Sequence, residues 1–589
     1  FSASLYLCAG KDTSLKKTKN YFPWNFSYSI SLTNRKIFFK TFSAVGFDSG
    51  TDYLDLFGYN KNDAVYYNTR TPYTELFVLL GSKKEQFFSL LHTQNIRRNW
   101  NIAVNMLRLR SEGFYQRQNC TDNSVSVSTN YKNKRYALLA DIYFSGIKTD
   151  ENGGIKNDSV FETASFLNKK TVSVNLNDAR SRRGTRGFYL NQFLYFKKRK
   201  SSPENYLSDT KKDTIASHLR DTLSQKNKTF ESKTFLSYSF NVNNNWFVYD
   251  DKKPTSGFYK NIFMDSAKTL DSADILKLEN KILFNKGICN LSAEYQRIFV
   301  RQHTTDTSLG NYILSAKILS YRYVPEIFVN YVIDGYQKND YDFNIKFFID
   351  KFFPKKIKAT TIPLYYTIKN FTVPFIFSSY LSNNFKWKKN IEKSLIQSTG
   401  LKFYQSGDNY PKKNLCFDFC FSQISNYTFL DTNILPKYFS GNIQIITASV
   451  EKTFRLKNFG FYNKITYQNV SEDILRLPEF VTNHSLYYDD RWFKRMMDIQ
   501  LGFDISFYTS YYADAYMPAL GQYYLQNNKK IGNYPFIDFF VNTKIKHAKI
   551  FFRIEHINSD LYDENYYLAL HYPAPDRSFK IGIKWLFFE

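Results

Sequence analysis

Cysteine is scarce in this chain, with 5 scattered residues among 589, too few and odd in number for a disulfide-stapled scaffold. Glycine (23) and proline (15) are also few, which excludes collagen-like and linker-like chains. No run of about 18 or more residues is apolar enough for a membrane-spanning helix. The longest charge-free stretches, such as 370–385, are broken by Pro, Ser and Asn, so a helical membrane protein is not expected. Also missing are a Gly-rich phosphate loop followed by Lys-Ser/Thr, zinc-type Cys/His spacing and a calcium loop.

What is abundant is aromatic. Phe (57) and Tyr (47) bring the aromatic share to 19%, far from a disordered composition. Lys and Arg number 80 against 53 Asp and Glu, a net charge of +27. AT-rich codons favour Phe, Tyr, Asn, Lys and Ile together and account for a share of this bias. By length the chain would make about three or four globular domains unless one continuous architecture uses it all.

Periodicity points to one architecture. In 579–587, Phe579, Ile581, Ile583, Trp585 and Phe587 alternate with Lys580, Gly582 and Lys584, so a strand would hold one apolar and one basic face. If the apolar face meets lipid, a one-residue slip puts both lysines into lipid at about 2–4 kcal/mol each near the midplane. The stretch before it repeats the pattern: Ile537, Phe539, Val541, Thr543 and Ile545 oppose Asp538, Phe540, Asn542 and Lys544. After a tight connection at Lys546 and His547, Ile550, Phe552 and Ile554 oppose Phe551, Arg553 and Glu555. A hairpin around Asn285-Lys286-Gly287 and the run Trp100, Ile102, Val104, Met106 behave alike. Helical spacing is rare, and β-branched and aromatic residues dominate the periodic segments.

Connections come in two sizes, a few residues or long polar stretches such as Lys148 to Asn168, Lys198 to Lys228, Asp250 to Ala273 and Tyr508 to Asn533. Short periplasmic turns alternating with long external loops are the habit of outer-membrane barrels. A spanning protein without hydrophobic helices must pair every backbone group in a closed barrel. The expectation is therefore an all-β, antiparallel transmembrane β-barrel over 74–589, of about 16 strands (14–18). Residues 11–73 are less regular and are read as a plug, a periplasmic segment or extra strands. Residues 1–10, FSASLYLCAG, look like the tail of a signal peptide, with an ordinary mature N-terminus as the alternative.

Several segments carry a resemblance: TPYTELFV at 71–78, NWNIAVNMLRLRSEGFYQ from Asn99, KNKRY at 132–136, ENGGI at 151–155, and the closing part of the chain. In that closing part, Asn565, Tyr566, Tyr567, His571, Tyr572, Pro573, Pro575, Arg577, Trp585, Phe587, Phe588 and Glu589 follow an N-Y-Y, H-Y-P-x-P-x-R, W-x-F-F pattern with an acidic end. This resembles the Bacteroidota-type putative porin family over nearly the whole length. The resemblance implies a barrel in the outer membrane and supplies no substrate.

Catalysis finds little support: His484 and Ser485 are adjacent, and adjacent strand residues face opposite ways. Cys416 and Cys420 would share a strand face about 13 Å apart, too far for one metal or a disulfide. Basic clusters remain. Arg180, Arg182, Arg183 and Arg186 precede a strand expected near Phe188, Lys197, Lys198, Arg199 and Lys200 follow it, and Lys355, Lys356 and Lys358 form a third group. They suit a solvated rim, or a rim that binds lipopolysaccharide phosphates. Asp538, Lys544, Arg553, Glu555, Lys580 and Lys584 are expected in the lumen, where the cations would favour anionic solutes, partly offset by the two acids.

The functional expectation is a porin-like channel for passive diffusion of small hydrophilic solutes, with an anion-favouring lumen as an added expectation. It is not an enzyme and uses no cofactor or metal. Expected partners are outer-membrane lipids and lipopolysaccharide, the solutes and envelope proteins, without nucleic acid. The alternative is a non-conducting structural or interaction barrel.

Overall fold

The computed structural model describes residues 45–50, 59, 61–163, 169–196, 234–303, 305–320, 324–349, 360–405, 415–559, 561 and 566–588. Its dominant feature is a closed antiparallel barrel of 22 strands. In chain order these are β1 (Tyr73–Gly81), β2 (Glu85–Arg97), β3 (Trp100–Ser111), β4 (Cys120–Lys132), β5 (Tyr136–Glu151), β6 (Ala179–Tyr195), β7 (Phe235–Asp251), β8 (Thr269–Lys286), β9 (Cys289–Gln302), β10 (Thr305–Ile318) and β11 (Glu326–Gly335). They continue with β12 (Tyr341–Phe348), β13 (Pro363–Phe371, extended by Thr360–Thr361), β14 (Ser394–Gln405), β15 (Leu415–Leu430), β16 (Pro436–Leu456), β17 (Phe459–Val470), β18 (Phe480–Trp492), β19 (Met497–Tyr508), β20 (Phe536–Ile545), β21 (Ala548–Glu555) and β22 (Ser578–Phe588). Sequence neighbours pair throughout, and β1 closes on β22 in register from Tyr73↔Phe588 to Gly81↔Lys580. Closure leaves no unpaired edge, which lipid would not tolerate.

Side-chain parity sets the two faces. On β22, Phe579, Ile581, Trp585 and Phe587 are exposed on the outside, whereas Lys580 and Leu586 are buried inside. The expected alternation of β20 and β21 holds as well, with Asp538 and Phe540 buried on the inner face and Phe552 and Ile550 exposed outside.

The expected strand number falls short because the inner face is not uniformly polar. On β1 the inner Phe77 and Leu79 alternate with the outer Leu80 and, with Phe87, Leu109 and Ile147, form an apolar cluster inside the wall. Such strands read as unbroken apolar runs and lose the period-two signal on which counting depends.

The two rims differ. At the rim where β1 starts and β22 ends, the connections 98–99, 133–135, 287–288, 457–458 and 546–547 are tight. The opposite rim carries the long connections 152–178, 252–268, 372–393, 509–535 and 556–577. The expected external loop Lys198 to Lys228 joins β6 to β7 and so belongs to the terminal rim; its residues lie outside the described ones. Residues 1–10 lie outside them as well.

Candidate functional site in the lumen and its loop cap

Register decides which charges meet on the inner wall. Asp504 of β19 lies directly opposite Asp538 of β20, and Arg553 of β21 directly opposite Lys580 of β22. Each like-charged pair would be unfavourable alone, and the network interleaves them. Arg553 reaches Asp538 at 2.6 Å, Asp504 at 3.1 Å and Glu555 at 3.8 Å. Lys580 reaches Glu555 and Glu85 at 3.0 Å each, and Lys584 pairs with Glu75. The Asp538 carboxylate also accepts the His556 backbone N–H at 2.7 Å. Arg553, Lys580 and Lys584 thus face five carboxylates, Glu75, Glu85, Asp504, Asp538 and Glu555.

A strap from the N-terminal part lies against the inner wall. Near the long-loop rim, Gln337 donates to the Gly46 carbonyl at 2.8 Å, and the Asp48 carbonyl accepts the Phe375 N–H at 2.9 Å. Farther along, the Tyr59 ring sits 5.4 Å from that of Tyr143, and Lys61 pairs with Glu279, itself bridged to Lys277 at 2.7 Å. Ser128 then donates to the Val65 carbonyl at 3.0 Å and Asn130 to that of Tyr67 at 2.7 Å. From there the chain enters β1 at the terminal rim. Ser128 and Asn130 are buried inner-face residues of β4.

The long loops pack on one another. Tyr115, Ile155, Phe161, Ile531, Tyr566 and Tyr567 are nearly fully buried in one shared cluster, and Leu176, Trp387, Leu430 and Met517 belong to a second. These clusters draw on loops that are remote in sequence, so the rim carries a folded cap. Within it lies a cavity of about 410 Å³ whose lining includes Tyr259, Lys260, Tyr516, Tyr524, His571 and Tyr572. Next to it, His571 Nδ1 is 3.1 Å from Asp158, and Lys529 is 3.2 Å from the same carboxylate and 3.8 Å above the Tyr567 ring. Burial pushes the Asp158 carboxyl up, but His571 and Lys529 more than reverse this and hold it below its ordinary value. In loop 509–535 burial pushes Asp514 up to about 7, with the Arg476 charge acting the other way.

With this geometry established, three comparisons are informative. A family model described as "Putative porin" matches residues 9–589. The chain belongs to this porin family. No curated protein matches it. Among solved structures, a variant of the ferric enterobactin receptor of Pseudomonas aeruginosa bound to enterobactin superposes with a TM-score of 0.56 at 9% identity, covering 88% of this chain and 82% of that one. The siderophore receptor PirA of Acinetobacter baumannii gives 0.56 at 9%, covering 88% and 81%. The FrpB iron transporter of Neisseria meningitidis gives 0.57 at 8%, covering 88% and 82%. At such identities the likeness shows the fold, a large outer-membrane-type barrel.

Several of the segments that carry the porin-family resemblance meet in space, although KNKRY turns at the terminal rim, opposite the cap. Gly154 of ENGGI has a φ of +84° and lies so close to His571 that a Cβ would come within 2.8 Å, while the Ile155 N–H donates to the His571 carbonyl at 2.8 Å. A glycine is needed there on both counts. TPYTELFV supplies β1 and the chain's end supplies β22, the two strands that close this porin-family barrel. Asn565 and Glu589 lie outside the described residues.

Other expected positions come out differently. Arg180, Arg182, Arg183 and Arg186 lie within β6, which begins at Ala179 instead of near Phe188. They therefore divide by parity. Arg183 is buried inside near Ser181 and the Phe247 ring, while Arg182 and Arg186 are exposed outside. Arg180 pairs with Asp150 at 2.9 Å. Lys197, Lys198, Arg199, Lys200, Lys355, Lys356 and Lys358 lie outside the described residues. Asp538, Arg553, Glu555, Lys580 and Lys584 come together on the inner wall, and Lys544 stands on the same face near the Lys546–His547 turn, directly opposite Lys549, which in turn faces Lys584. Ser485 is buried inside and His484 bonds Asn463 at 2.7 Å on the outer face. Cys416 and Cys420 stand four pairs apart in the β14–β15 register, opposite Tyr404 and Gly400. Periodicity missed Glu75, Glu85 and Asp504, and it had no means of finding the cap cavity, which is built from loops.

Proposed function

We propose that this porin-family barrel is an outer-membrane channel through which small hydrophilic solutes diffuse, its passage running between the strap and the inner wall and its entrance narrowed by the loop cap. The observation that carries this reading is the polarity of the inner face. Ser126, Ser128, Asn130, Ser398, Ser422 and Asp538 are all turned inward from a wall whose outer face is apolar. A water-filled passage needs such a lining; the strap takes up Ser128 and Asn130 of it, and Ser398, Ser422 and Asp538 lie on other strands. The terminal rim then faces the periplasm and the cap faces outward, as short turns and long loops do in this class of barrel.

Solute preference follows the local charge. Arg553, Lys580 and Lys584 touch five carboxylates, and Lys544 and Lys549 add two cations on the same face, Lys549 directly opposite Lys584, so acids and bases nearly balance in this sector and neither sign of solute is strongly favoured. A second reading, a non-conducting barrel in an envelope assembly, draws its support from the strap and the packed cap, and wide 22-stranded transporters generally have plugged lumens. The test is planar-bilayer recording of the full chain in a salt gradient, together with swelling of proteoliposomes in small sugars. Conductance with weak charge selectivity and sugar-dependent swelling are expected. Inserted protein that neither conducts nor swells vesicles would refute the channel in favour of the assembly role.

A further inference from the structure

The outer wall over β3–β6 changes character abruptly near the long-loop rim. One outward row across these strands consists of Val104, Val127, Ile142 and Phe188, in direct register. The next row toward the rim is Met106, Val125, Phe144 and Arg186, and the one beyond is Arg108, Asn123, Gly146 and Gly184. The row after that is Arg110, Thr121, Lys148 and Arg182, and at the strand ends Arg180 is paired with Asp150 at 2.9 Å and stands opposite Asp250. Rows on one face are about 7 Å apart, at roughly 3.4 Å per residue. The wall therefore passes from fully apolar to mostly basic within about 20 Å of strand. That places the basic rows at the outer headgroup level of a membrane whose acyl chains contact the apolar row.

The basic side chains are poorly accounted for by the protein itself. Arg108, Arg110, Lys148 and Arg182 are exposed, and among the described residues none of them has an ion-pair partner. Lys148 and Arg182 are direct cross-strand neighbours, a like-charge pairing that destabilises a sheet unless an anion sits between the two. Immediately below them Gly146 and Gly184 remove side chains from the wall. A Cβ on Gly146 would meet nothing nearer than 3.9 Å, and the Trp246 ring closes the shelf beside Gly184. The result is a shallow step with cations above, an amphipathic ring at one side and Phe144 beneath.

We propose that this step binds a phosphorylated lipid of the outer leaflet, with Lys148, Arg182 and Arg110 on its phosphate, Arg108 and Arg186 at its margins, and its acyl chains on the apolar rows below. Arg forks and Lys ammonium groups both suit phosphate oxygens. Orientation on the outer wall makes the occupant a lipid, because a solute in transit never meets this face. Arg183, one residue away but turned inward, takes no part.

The test uses the full chain purified in detergent, native mass spectrometry, and bis-phosphorylated lipid A as probe against the same lipid stripped of phosphate. The Lys148→Gln/Arg182→Gln double variant should bind the phosphorylated probe at least tenfold more weakly, while a charge-matched Lys252→Gln/Lys253→Gln control in loop 252–268 should bind it normally. Retention of the heat-modifiable gel shift shows that the barrel is folded, and Lys148→Arg should retain binding. Equal binding by the double variant, equal loss in the control pair, or equal affinity for the dephosphorylated lipid would overturn the proposal. So would inorganic phosphate alone binding as tightly, which would mean a free-ion site. Bilayer conductance measured on the same double variant should be unchanged, so failure here is separable from failure of the channel reading.

Discussion

Replacing Arg553 by Met tests the inner-wall network most directly. The guanidinium lies between Asp538 at 2.6 Å and Asp504 at 3.1 Å, and the side chains of all three are no more than 13% exposed. Two carboxylates that share one guanidinium are on the order of 5 Å apart, and at an effective dielectric near 20 they repel by about 3 kcal/mol once it is gone. Removing one partner of a buried ion pair costs about 3–5 kcal/mol by independent reckoning. Water in the lumen favours the lower figure, so Arg553→Met should destabilise the barrel by about 3 kcal/mol.

Adding Asp538→Asn should restore more than half of the loss. It removes one of the two repelling charges, while the amide oxygen can still accept the His556 N–H. Equilibrium unfolding in detergent, followed by tryptophan fluorescence and by the heat-modifiable gel shift, measures all four corners of this double-mutant cycle. The loss of one inner cation should also raise cation selectivity in bilayers. A change below about 0.5 kcal/mol for Arg553→Met, or plain additivity of the two substitutions, would refute the idea that these residues act as one coupled network.

Three further outcomes follow from the same structure. Ile581→Arg, which places a cation on the outer face, should cost about 2–4 kcal/mol in folding titrations into lipid, and Phe587→Arg near the strand end only about 0–1 kcal/mol; equal costs would contradict the membrane placement. Gly154→Ala, at a φ of +84° and with a Cβ 2.8 Å from His571, should cost about 1–3 kcal/mol and speed proteolysis within loop 152–178 while leaving the gel shift of the barrel intact; unchanged cleavage would show that the cap does not depend on this contact. Asp514, pushed up to about 7 from 3.8 by burial, keeps its proton in the folded cap at pH values where the unfolded chain has lost it. Cap stability should therefore fall by about 1.4 kcal/mol per unit as pH rises from about 4 to 7 and level off above. Limited proteolysis across that range should show the trend, Asp514→Asn should flatten it, and a cap that tightens with rising pH would reverse the sign and refute the assignment.

Legibility in the sequence tracked the contrast between the two faces of each strand. β20, β21 and β22 have an apolar outside against a charged inside, and their faces, their turn and most of their lumen residues could be read directly. β1 sets Phe77 and Leu79 inside against Leu80 outside, and without contrast it could be neither phased nor counted; enough strands of this kind turn 22 into about sixteen. The β6 arginines were misplaced for a related reason. A run of Arg, Ser, Gly and Thr suggests a loop, and only pairing with β5 from Glu151↔Ala179 onward makes it strand. Of the carboxylates that neutralise Arg553 and Lys580, Asp538 and Glu555 lie on the readable β20 and β21, but Asp504 and Glu85 come from β19 and β2, and a single chain carries no signal for such remote partners. Cap contacts between loops such as 152–178 and 556–577 are in the same position, except that both ends contain motifs that carry the porin-family resemblance.

The net charge of +27 can now be weighed by face. One residue of register sends Arg182 outward into a basic row and Arg183 inward to Ser181 and Phe247, so identical side chains next to each other in sequence act on different solvents. On the inner wall, cations at 553, 580 and 584 touch five carboxylates beside Lys544 and Lys549, while near the long-loop rim the outward rows of β3–β6 are mostly basic, and Arg108, Arg110, Lys148 and Arg182 have no ion-pair partner among the described residues. A field inside the lumen depends on the first set and is screened from the second by the wall and by roughly 8–10 Å of Debye length at physiological salt. Net charge therefore reports mainly on what the outside of the barrel touches, and solute preference has to be read from the balance at each inner sector.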